Sequence, residues 1–324
     1  MKTRKLRDLT VSSIGFGSMG LSHAYGTALE PQLAEKRIRE AFDTGYTLFD
    51  TAELYVGQQA DGTPSVNEEL VGAALKPIRD QVVIASKGGL YWNNDHTQSI
   101  PDARPEILRQ SLEGSLKHLN VDSIDLYYQH QQDPNVEPEI VADLMGQFIK
   151  EGKIKHWGIS NASADYIERA NAVTPVTAVQ ARYSMMARKT EDLLPLLDKL
   201  NIGLVAYSPM ANGFLSGNIK SNSQYDQQSD FRSRMPQYST EGIAKAQKLT
   251  NLIQEIADKN SASPAQVSLA WLLNQKPWIV PIPGSSKTER IVENASAANI
   301  TLSETELQQI RTLLLGLNLD VLGN

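Results

Sequence analysis

Residues 46–55 read Tyr-Thr-Leu-Phe-Asp-Thr-Ala-Glu-Leu-Tyr, an apolar run that ends in a carboxylate and then a phenol. Two later apolar runs end in the ionisable side chains of Lys87 and His130. A parallel α/β barrel keeps its catalytic groups at the carboxyl ends of its strands. Because Asp50, Tyr55 and the two later residues all follow strand-like segments, the pattern indicates an enzyme built on such a barrel.

The rest of the chain repeats one unit, an apolar run followed by a turn and an amphipathic helix. Alternation of this kind predicts parallel strands joined by helices. The strand candidates are residues 46–50, 82–86, 124–129, 155–160, 177–181, 202–207, 278–282 and 297–301. Eight strands favour a closed (β/α)8 TIM barrel of the α/β class, a single domain over residues 1–324 with a short N-terminal hairpin at 3–14. A polar segment at residues 211–240 predicts a long loop, as is typical of a lid, a binding loop or a disordered segment.

The composition excludes several kinds of site. The 324 residues contain no cysteine, so disulfides, thiolate metal sites and cysteine nucleophiles are ruled out. The formal net charge is −6 and no run of Lys or Arg exceeds two residues, which argues against nucleic acid as a partner. No segment reaches the roughly 18 consecutive apolar residues of a membrane span. The N-terminus lacks the apolar core of a signal peptide. We therefore expect a cytoplasmic protein without a metal site, and the sequence leaves its oligomeric state open.

One motif supports a competing interpretation. Residues 15–20, Gly-Phe-Gly-Ser-Met-Gly, match the G-x-G-x-x-G pattern of dinucleotide-binding Rossmann folds. That fingerprint requires a helix starting at its last glycine and an acidic residue about 20 positions further on. The residues after Gly20 make a poor helix start, so we interpret these glycines as a tight turn at the mouth of the barrel.

The polar groups at the strand ends suit one task, the delivery of a proton to a carbonyl oxygen. The phenol of Tyr55 has an ordinary pKa of about 10, and a neighbouring Lys87 ammonium favours its phenolate. A buried Lys87 in turn needs a carboxylate such as Asp50 to stay charged. His130 is suited to orient the carbonyl or to share in proton transfer. Each residue alone has an ordinary structural explanation, and their joint position at strand ends is what favours catalysis.

These segments resemble the aldo-keto reductases, a (β/α)8 family that uses NADPH. The family's D-T-A-x-x-Y motif corresponds to residues 50–55, its strand lysine followed by glycine to residues 87–88, and its D-L-Y-x-x-H motif to residues 125–130. Further matches follow in the family's order and span nearly the whole chain. They are Gly158-Ile159-Ser160-Asn161, Gln180 within residues 179–184, Tyr207-Ser208-Pro209-Met210, and residues 282–294.

The resemblance implies an NADPH-dependent oxidoreductase that reduces aldehydes or ketones to alcohols, an enzyme of the alcohol dehydrogenase or carbonyl reductase type. It makes Tyr55 the proton donor, tuned by Lys87 and Asp50, with His130 positioning the substrate carbonyl. Two alternatives stay open. One is a cofactor-sensing regulatory subunit with slow turnover, and the other is a barrel hydrolase or lyase that uses Asp50 and Lys87 differently.

The resemblance also implies a site for NADPH/NADP+. Ser, Asn and Gln side chains supply donors and acceptors for the nicotinamide carboxamide, and Tyr207 offers a face for the ring. Arg290 is suited to grip a 2′-phosphate. The cofactor-binding residues that the resemblance implies are Ser160, Asn161, Gln180, Tyr207, Ser208, Pro209, Gly213, Gly284, Ser285, Ser286, Lys287, Arg290, Glu293 and Asn294.

Some positions depart from the family's pattern, and the substrate is weakly determined. Many relatives carry lysine at the position of Gly284, and Asn212 replaces an arginine that is common in some branches. Three aromatic residues, Tyr25, Tyr91 and Trp92, are candidates for the outer substrate pocket. They suit an apolar or aromatic small-molecule carbonyl, and aldehydes are the first expectation, with ketones, sugars and pyridoxal left open.

Overall fold

A computed structural model describes residues 1–93, 98–317 and 319 of the chain. The strands, numbered in chain order, are β1 (Thr3–Leu6), β2 (Leu9–Ser12), β3 (Phe16–Gly17), β4 (Leu48–Asp50), β5 (Val56–Gln58), β6 (Pro64–Val66), β7 (Val83–Gly88), β8 (Leu90–Trp92), β9 (Ser99–Pro101), β10 (Ile124–Gln129), β11 (Ile154–Ser160), β12 (Ala178–Arg182), β13 (Gly203–Tyr207) and β14 (Ile279–Pro281). The helices are α1 (Pro31–Thr44), α2 (Asn67–Leu75), α3 (Pro105–Leu119), α4 (Pro138–Lys150), α5 (Ala164–Val173), α6 (Leu194–Leu200), α7 (Thr240–Lys259), α8 (Pro264–Gln275), α9 (Thr288–Ser296) and α10 (Glu304–Leu315).

Eight of these strands form one parallel sheet in the order β14-β13-β12-β11-β10-β7-β4-β3. Helices connect successive strands, and their apolar sides pack against the outer side of the sheet. Local signals begin these helices, since proline occupies the first position of α1, α3, α4 and α8, where its missing N–H is not needed. The predicted (β/α)8 barrel is confirmed.

The barrel wall closes where β3 meets β14. The amide of Gly15 donates to the carbonyl oxygen of Pro281 at 2.9 Å, and the amide of Gly17 donates to that of Pro283 at 3.3 Å. A Cβ at Gly17 would lie 2.7 Å from the carbonyl oxygen of Ile282, so no larger residue fits at this position. The reciprocal approach of Gly284 to the Gly17 carbonyl is tighter still. Both glycines therefore serve the close contact of two backbones.

Two sequence-based predictions are wrong, one about the eighth strand and one about the glycines of residues 15–20. Residues 297–301 do not form the eighth strand, because Ala297–Asn299 are a 3₁₀ turn that extends α9. The eighth strand is β3, whose two residues are too few to show any periodicity. The tight-turn interpretation also fails for Gly17, which lies inside this strand. We attribute the first error to a short apolar segment that imitates a strand when its packing is unknown.

The predicted N-terminal hairpin is confirmed as the antiparallel pair β1–β2, and it covers the amino-terminal end of the barrel. Leu6 and Val11 join the cluster of buried side chains inside the barrel. Arg4 fastens the hairpin by donating to the carbonyl oxygens of Lys276 and Ile279, at 2.7 and 2.8 Å. With this end filled by side chains, access to the barrel interior is left to the carboxyl ends of the strands.

Three irregular segments surround the carboxyl ends of the strands. The β5–β6 hairpin follows β4, and the β8–β9 hairpin follows β7. The third segment, called here the long loop, is residues 208–239, between β13 and α7, with short 3₁₀ turns. It is joined to the loop after β3, since the amide of Gly26 donates to Ser229 O and that of Phe231 to Ala24 O, both at 3.0 Å. No described helix is long and apolar enough to cross a membrane.

Candidate active site

A buried ion pair lies at the carboxyl end of the barrel. Lys87 on β7 is fully buried, and its Nζ donates to Oδ1 of Asp50 on β4 at 2.6 Å and to the Thr51 carbonyl oxygen at 2.7 Å. The other carboxylate oxygen of Asp50 accepts from Nε2 of Gln180 on β12 at 2.7 Å. Burial alone lowers the pKa of Lys87, but Asp50 and Tyr55 outweigh it and the pKa lies above its ordinary value. Lys87 is therefore a stable ammonium.

Tyr55 lies against this ammonium, with its ring centre 5.0 Å from Lys87 Nζ. Burial raises the pKa of the phenol, and the nearby Lys87 lowers it without cancelling the effect of burial. The sequence reasoning anticipated the influence of Lys87 but not the larger effect of burial. Tyr55 consequently keeps its proton at neutral pH, which is the state a proton donor needs.

His130 completes the predicted group of four. Its backbone amide donates to the Gly88 carbonyl oxygen at 3.0 Å, and its ring meets that of Tyr55 edge-on, with centres 5.9 Å apart. Burial, Lys87 and His23 together hold the pKa of His130 well below its ordinary value. The imidazole is thus neutral at neutral pH, with an Nδ1 atom that finds no hydrogen-bond partner among the described residues. A neutral ring can donate one hydrogen bond to a carbonyl oxygen.

The structure adds a histidine that the sequence reasoning missed. His23, in the loop after β3, stacks on Tyr55 with centres 5.9 Å apart and an interplanar angle of 17°. Trp92 lies beyond it, 6.1 Å from the His23 ring. Burial lowers the pKa of His23, which favours a neutral ring beside the phenol. The only sequence signal for His23 was its position just after a barrel strand, and that strand was itself missed.

The three predicted pocket aromatics separate in the structure. Trp92 approaches the site through His23, as described above. The hydroxyl of Tyr91 is bonded to Ser111 on α3 instead, so its ring faces the helix layer. The hydroxyl of Tyr25 accepts from Asn212 Nδ2 at 2.8 Å, which places this residue beside the long loop. Their contact with a substrate remains a prediction.

Two acids lie beside β7, one fully buried and one partly buried. Glu68 on α2 is fully buried, where it accepts from Ser86 Oγ at 2.5 Å and lies 3.1 Å from His118 Nδ1. Glu53, in the loop that carries Tyr55, has a buried carboxylate oxygen without a hydrogen-bond partner among the described residues. Burial raises the pKa of Glu53 to about 6; the hydrogen bond with Ser111 lowers it in part, and the charge of Glu68 adds a smaller increase. Acids with a raised pKa, such as Glu53, cluster near functional sites.

The residues predicted to hold nicotinamide lie together beside the ion pair. Asn161 Nδ2 donates to Ser160 Oγ at 3.1 Å, and Asn161 Oδ1 accepts from the Tyr207 hydroxyl at 3.0 Å. Gln180 links this group to Asp50. The structure thereby brings amide, hydroxyl and aromatic groups to one side of the barrel mouth, beside Lys87. The same groups suit a planar carboxamide-bearing ring.

The long loop begins with backbone that only a few residue types tolerate. Ser208 has φ 49°, Asn212 φ 61° and Gly213 φ 95°, all in the left-handed region. The loop is held from behind by the hydroxyl of Tyr238, which donates to the Asn212 carbonyl oxygen at 2.9 Å. Pro209 lies within the same turn. Of these residues, Ser208, Pro209 and Gly213 were predicted to contact the cofactor, and they follow Tyr207 closely in the chain.

The predicted phosphate segment is one loop and the first turns of a helix. Its residues are Gly284, Ser285, Ser286, Lys287, Arg290, Glu293 and Asn294, and the last three lie on α9. Arg290 pairs with Glu293 at 3.2 Å, while Ser285 Oγ accepts from the Lys287 amide at 3.1 Å. Arg37 on α1, which the sequence reasoning missed, donates to the Ser286 carbonyl oxygen at 2.9 Å. Basic side chains and a helix N-terminus suit phosphate.

One unpaired polar atom lies beside Tyr207 and another lies on the predicted phosphate segment. Arg182 Nε and Asn294 Oδ1 are buried without hydrogen-bond partners in the described part of the chain. Buried polar groups are nearly always paired, so such atoms are consistent with a ligand that supplies the missing partners. No group of three or more His, Asp or Glu side chains among the described residues could hold a metal ion.

Comparison with known proteins agrees with this geometry. A model of the Aldo/keto reductase family matches residues 13–314. The chain is 39% identical over 311 residues to the probable aldo-keto reductase 1 of Glycine max, covering 93% of this chain and 84% of that protein. It is 36% identical over 324 residues to the aldo-keto reductase str7 of Strobilurus tenacellus, with coverages of 97% and 92%.

Solved structures show the same architecture. A glycerol dehydrogenase of Gluconobacter oxydans superposes with a TM-score of 0.85 at 24% identity, covering 96% of this chain and 94% of that one, and this likeness concerns the fold alone. An aldo/keto reductase of Klebsiella pneumoniae, solved in complex with NADP and acetate, superposes with a TM-score of 0.72 at 27% identity, with coverages of 97% and 96%.

Proposed function

The chain belongs to the aldo/keto reductase family of oxidoreductases, and from this premise we propose that it is an NADPH-dependent enzyme that reduces aldehydes or ketones to alcohols, with Tyr55 as the proton donor. The observation that carries the proposal is the buried chain of contacts from Asp50 through Lys87 to the Tyr55 phenol. The bound dinucleotide supplies the hydride that adds to the carbonyl carbon of the substrate.

The protein's own residues deliver the matching proton. The Tyr55 hydroxyl gives its proton to the carbonyl oxygen as the C=O double bond becomes a C–O single bond, and the phenolate that remains lies beside the Lys87 ammonium. Asp50 keeps that ammonium charged, and the neutral His130 ring donates a hydrogen bond to the same oxygen. General acid catalysis of this kind typically contributes about 10²- to 10⁴-fold in rate.

The cofactor assignment rests on two groups of residues. Ser160, Asn161 and Tyr207 would hold the nicotinamide next to Tyr55. The aldo/keto reductase of Klebsiella pneumoniae, which shares the fold, was solved with NADP bound. Arg290 and Lys287, at the start of α9, would bind the 2′-phosphate that distinguishes NADPH from NADH. The substrate is proposed to be a small-molecule carbonyl compound, with aldehydes as the first class to test.

The test measures NADPH oxidation by the purified protein with a panel of aliphatic and aromatic aldehydes, ketones, sugars and pyridoxal, with NADH in parallel. Tyr55→Phe should lower kcat by at least about 10²-fold while the dissociation constant for NADPH stays within twofold of wild type. Tyr166→Phe is the matched control, because its buried hydroxyl is bonded to Gln129 outside this group. An active Tyr55→Phe enzyme would remove the proton-donor assignment. Tight NADPH binding without reduction of any compound would favour a cofactor-sensing regulatory protein instead.

A further inference from the structure

An arginine at the barrel mouth has no counterion in the described part of the chain. Arg182 is the last residue of β12 and is paired in register with Tyr207 of β13. Its guanidinium carbon lies 5.2 Å from the centre of the Tyr207 ring, and its Nη1 donates to Asn212 Oδ1 at 3.5 Å. Its Nε is buried and finds no partner among the described residues. The guanidinium is thus positioned by neutral groups only.

Other partly buried arginines of this protein have either carboxylate or backbone carbonyl partners. Arg4, for example, donates to the carbonyl oxygens of Leu273, Lys276 and Ile279. Arg37, Arg79 and Arg232 have N–O distances to a carboxylate of 2.8, 2.7 and 2.5 Å. Charged side chains are rarely buried without a partner, because desolvation of an uncompensated charge is unfavourable. Among the described residues, the Arg182 guanidinium has neither kind of partner, only the 3.5 Å hydrogen bond to Asn212 and a buried Nε left unpaired. This points to an anionic group that is present only in a complex.

The position of Arg182 on β12 indicates which ligand would supply this anionic group. Side chains two residues apart on a strand project to the same side, so Arg182 lies one step further along the barrel than Gln180, which reaches Asp50 inside it. Arg182 therefore lies between the nicotinamide-side residues and the start of the long loop. The first turn of the long loop, residues 208–213, contains Asn212 and no Lys or Arg, so it supplies no cation there.

The contacts of Asn212 hold its amide towards Arg182. Asn212 Nδ2 donates to the Tyr25 hydroxyl at 2.8 Å, which leaves its Oδ1 to accept from the guanidinium. Arg232, which also lies near Tyr25, is paired with Asp230 and so is already neutralised. Arg182, whose charge also acts on the Tyr25 hydroxyl, has no such carboxylate partner among the described residues.

We propose that Arg182 binds the pyrophosphate of the dinucleotide and provides, from β12, the cation that the long loop lacks at Asn212. The inference rests on the proposed function, because it assumes that a dinucleotide occupies this site. The same chemistry would also suit a carboxylate or phosphate on the substrate, so the experiment has to separate the two sources of negative charge.

The experiment compares ligand binding to Arg182→Met, Arg182→Lys and wild type by isothermal titration and by quenching of protein fluorescence. The probes are NADPH, NADH, nicotinamide mononucleotide and adenosine 2′-monophosphate, of which the last lacks any phosphate of the pyrophosphate. Arg182→Met should weaken NADPH and NADH by the same factor, about 10- to 100-fold, and weaken nicotinamide mononucleotide as well. Binding of adenosine 2′-monophosphate should stay within twofold.

Two variants control for damage to the fold. Arg182→Lys keeps the charge and should recover part of the NADPH affinity, whereas a purely structural role would not follow charge. Arg188→Met removes an arginine from the segment after β12 that bonds to the Leu314 carbonyl oxygen and pairs with Glu191, and this variant should bind every probe as wild type does. The thermal midpoint of unliganded Arg182→Met should be equal to or above that of wild type, since an uncompensated charge has been removed.

Three results would overturn the inference. If Arg182→Met binds NADPH as wild type does, the pyrophosphate contact is absent. If it binds NADPH normally but raises KM only for carboxylate-bearing substrates, the anion belongs to the substrate. If wild type binds no dinucleotide at all, the proposed function fails and this inference fails with it, which the wild-type titration shows separately from the variant.

Discussion

Removal of the Asp50 charge is the most direct test of the ion pair that organises the site. Asp50→Asn keeps the size of the side chain and an oxygen that can accept from Lys87, but it removes the counterion of a fully buried ammonium. Breaking a buried ion pair by neutralising one partner typically destabilises a protein by about 3–5 kcal/mol. Lys87 can limit that loss by releasing its proton.

The size of the effect follows from this proton release. Relative to an ordinary lysine pKa of 10.5, deprotonation at pH 7.5 costs about 4 kcal/mol. The destabilisation of Asp50→Asn at that pH should therefore be about 3–4 kcal/mol. In the variant the unfolded chain binds one more proton than the folded protein, so the penalty should shrink by about 1.4 kcal/mol for each pH unit between 7 and 9. With Lys87 neutral, the Tyr55 phenolate loses its stabilising cation, and kcat should fall about 10²- to 10⁴-fold.

The assay is urea unfolding at pH 7, 8 and 9, together with NADPH-dependent carbonyl reduction. Asp125→Asn is the matched control, because Asp125 is also a buried strand carboxylate bonded to two cations, Arg79 and Lys155, each at 2.7 Å. Those cations reach water, so the control should lose only about 1–2 kcal/mol without dependence on pH in this range, and it should keep its activity. Equal stability losses for the two variants, or a loss at Asp50→Asn that does not change with pH, would refute the counterion role of Asp50.

Two further predictions concern the surroundings of the ion pair. Because burial raises the pKa of Glu53 from 4.5 to about 6, the folded protein binds more protons than the unfolded chain in this window and loses stability as pH rises through it. In urea unfolding, the free energy of unfolding of Glu53→Gln should therefore rise by about 1 kcal/mol relative to that of wild type between pH 5 and 8. The exposed Glu69→Gln should show no such rise. Parallel pH profiles for Glu53→Gln and wild type would contradict the raised pKa. Arg290→Ala should weaken NADPH about 10-fold or more and leave the dissociation constant for NADH within twofold, and an equal loss for both dinucleotides would remove Arg290 from the 2′-phosphate site.

The barrel was predictable from the sequence wherever strands are long enough to show a pattern. The runs that end at Asp50, Lys87 and His130 are apolar and several residues long, and their polar ends are fixed by the geometry of parallel strands. β3 escaped prediction because two residues carry no periodicity, and its pairing with β14 depends on contacts more than 260 residues apart in sequence. Residues 297–301 were wrongly predicted as a strand, because a few apolar residues do not reveal what they pack against.

The candidate site, like the barrel, was predictable from the sequence only in part. The side chains at strand ends were predictable by type and position, and both Lys87 and Gln180 donate hydrogen bonds to Asp50. His23 and Arg37 were not, because each reaches the site from a loop or helix whose orientation only the tertiary structure defines. The net rise in the pKa of Tyr55 also required the structure, because it is set by the balance between burial and a neighbouring charge.

The closure of the barrel between β3 and β14 has a consequence for local opening of the molecule. Pro281 and Pro283 have no N–H, so in the described part of the chain the backbone hydrogen bonds across this seam are those donated by Gly15 and Gly17. Segments with few backbone hydrogen bonds open at lower free energy than the rest of a fold. Hydrogen exchange at these two glycine amides therefore reports how often the barrel opens locally between β3 and β14. Since Gly284 adjoins both the seam and the phosphate segment, a dinucleotide bound there should slow that exchange.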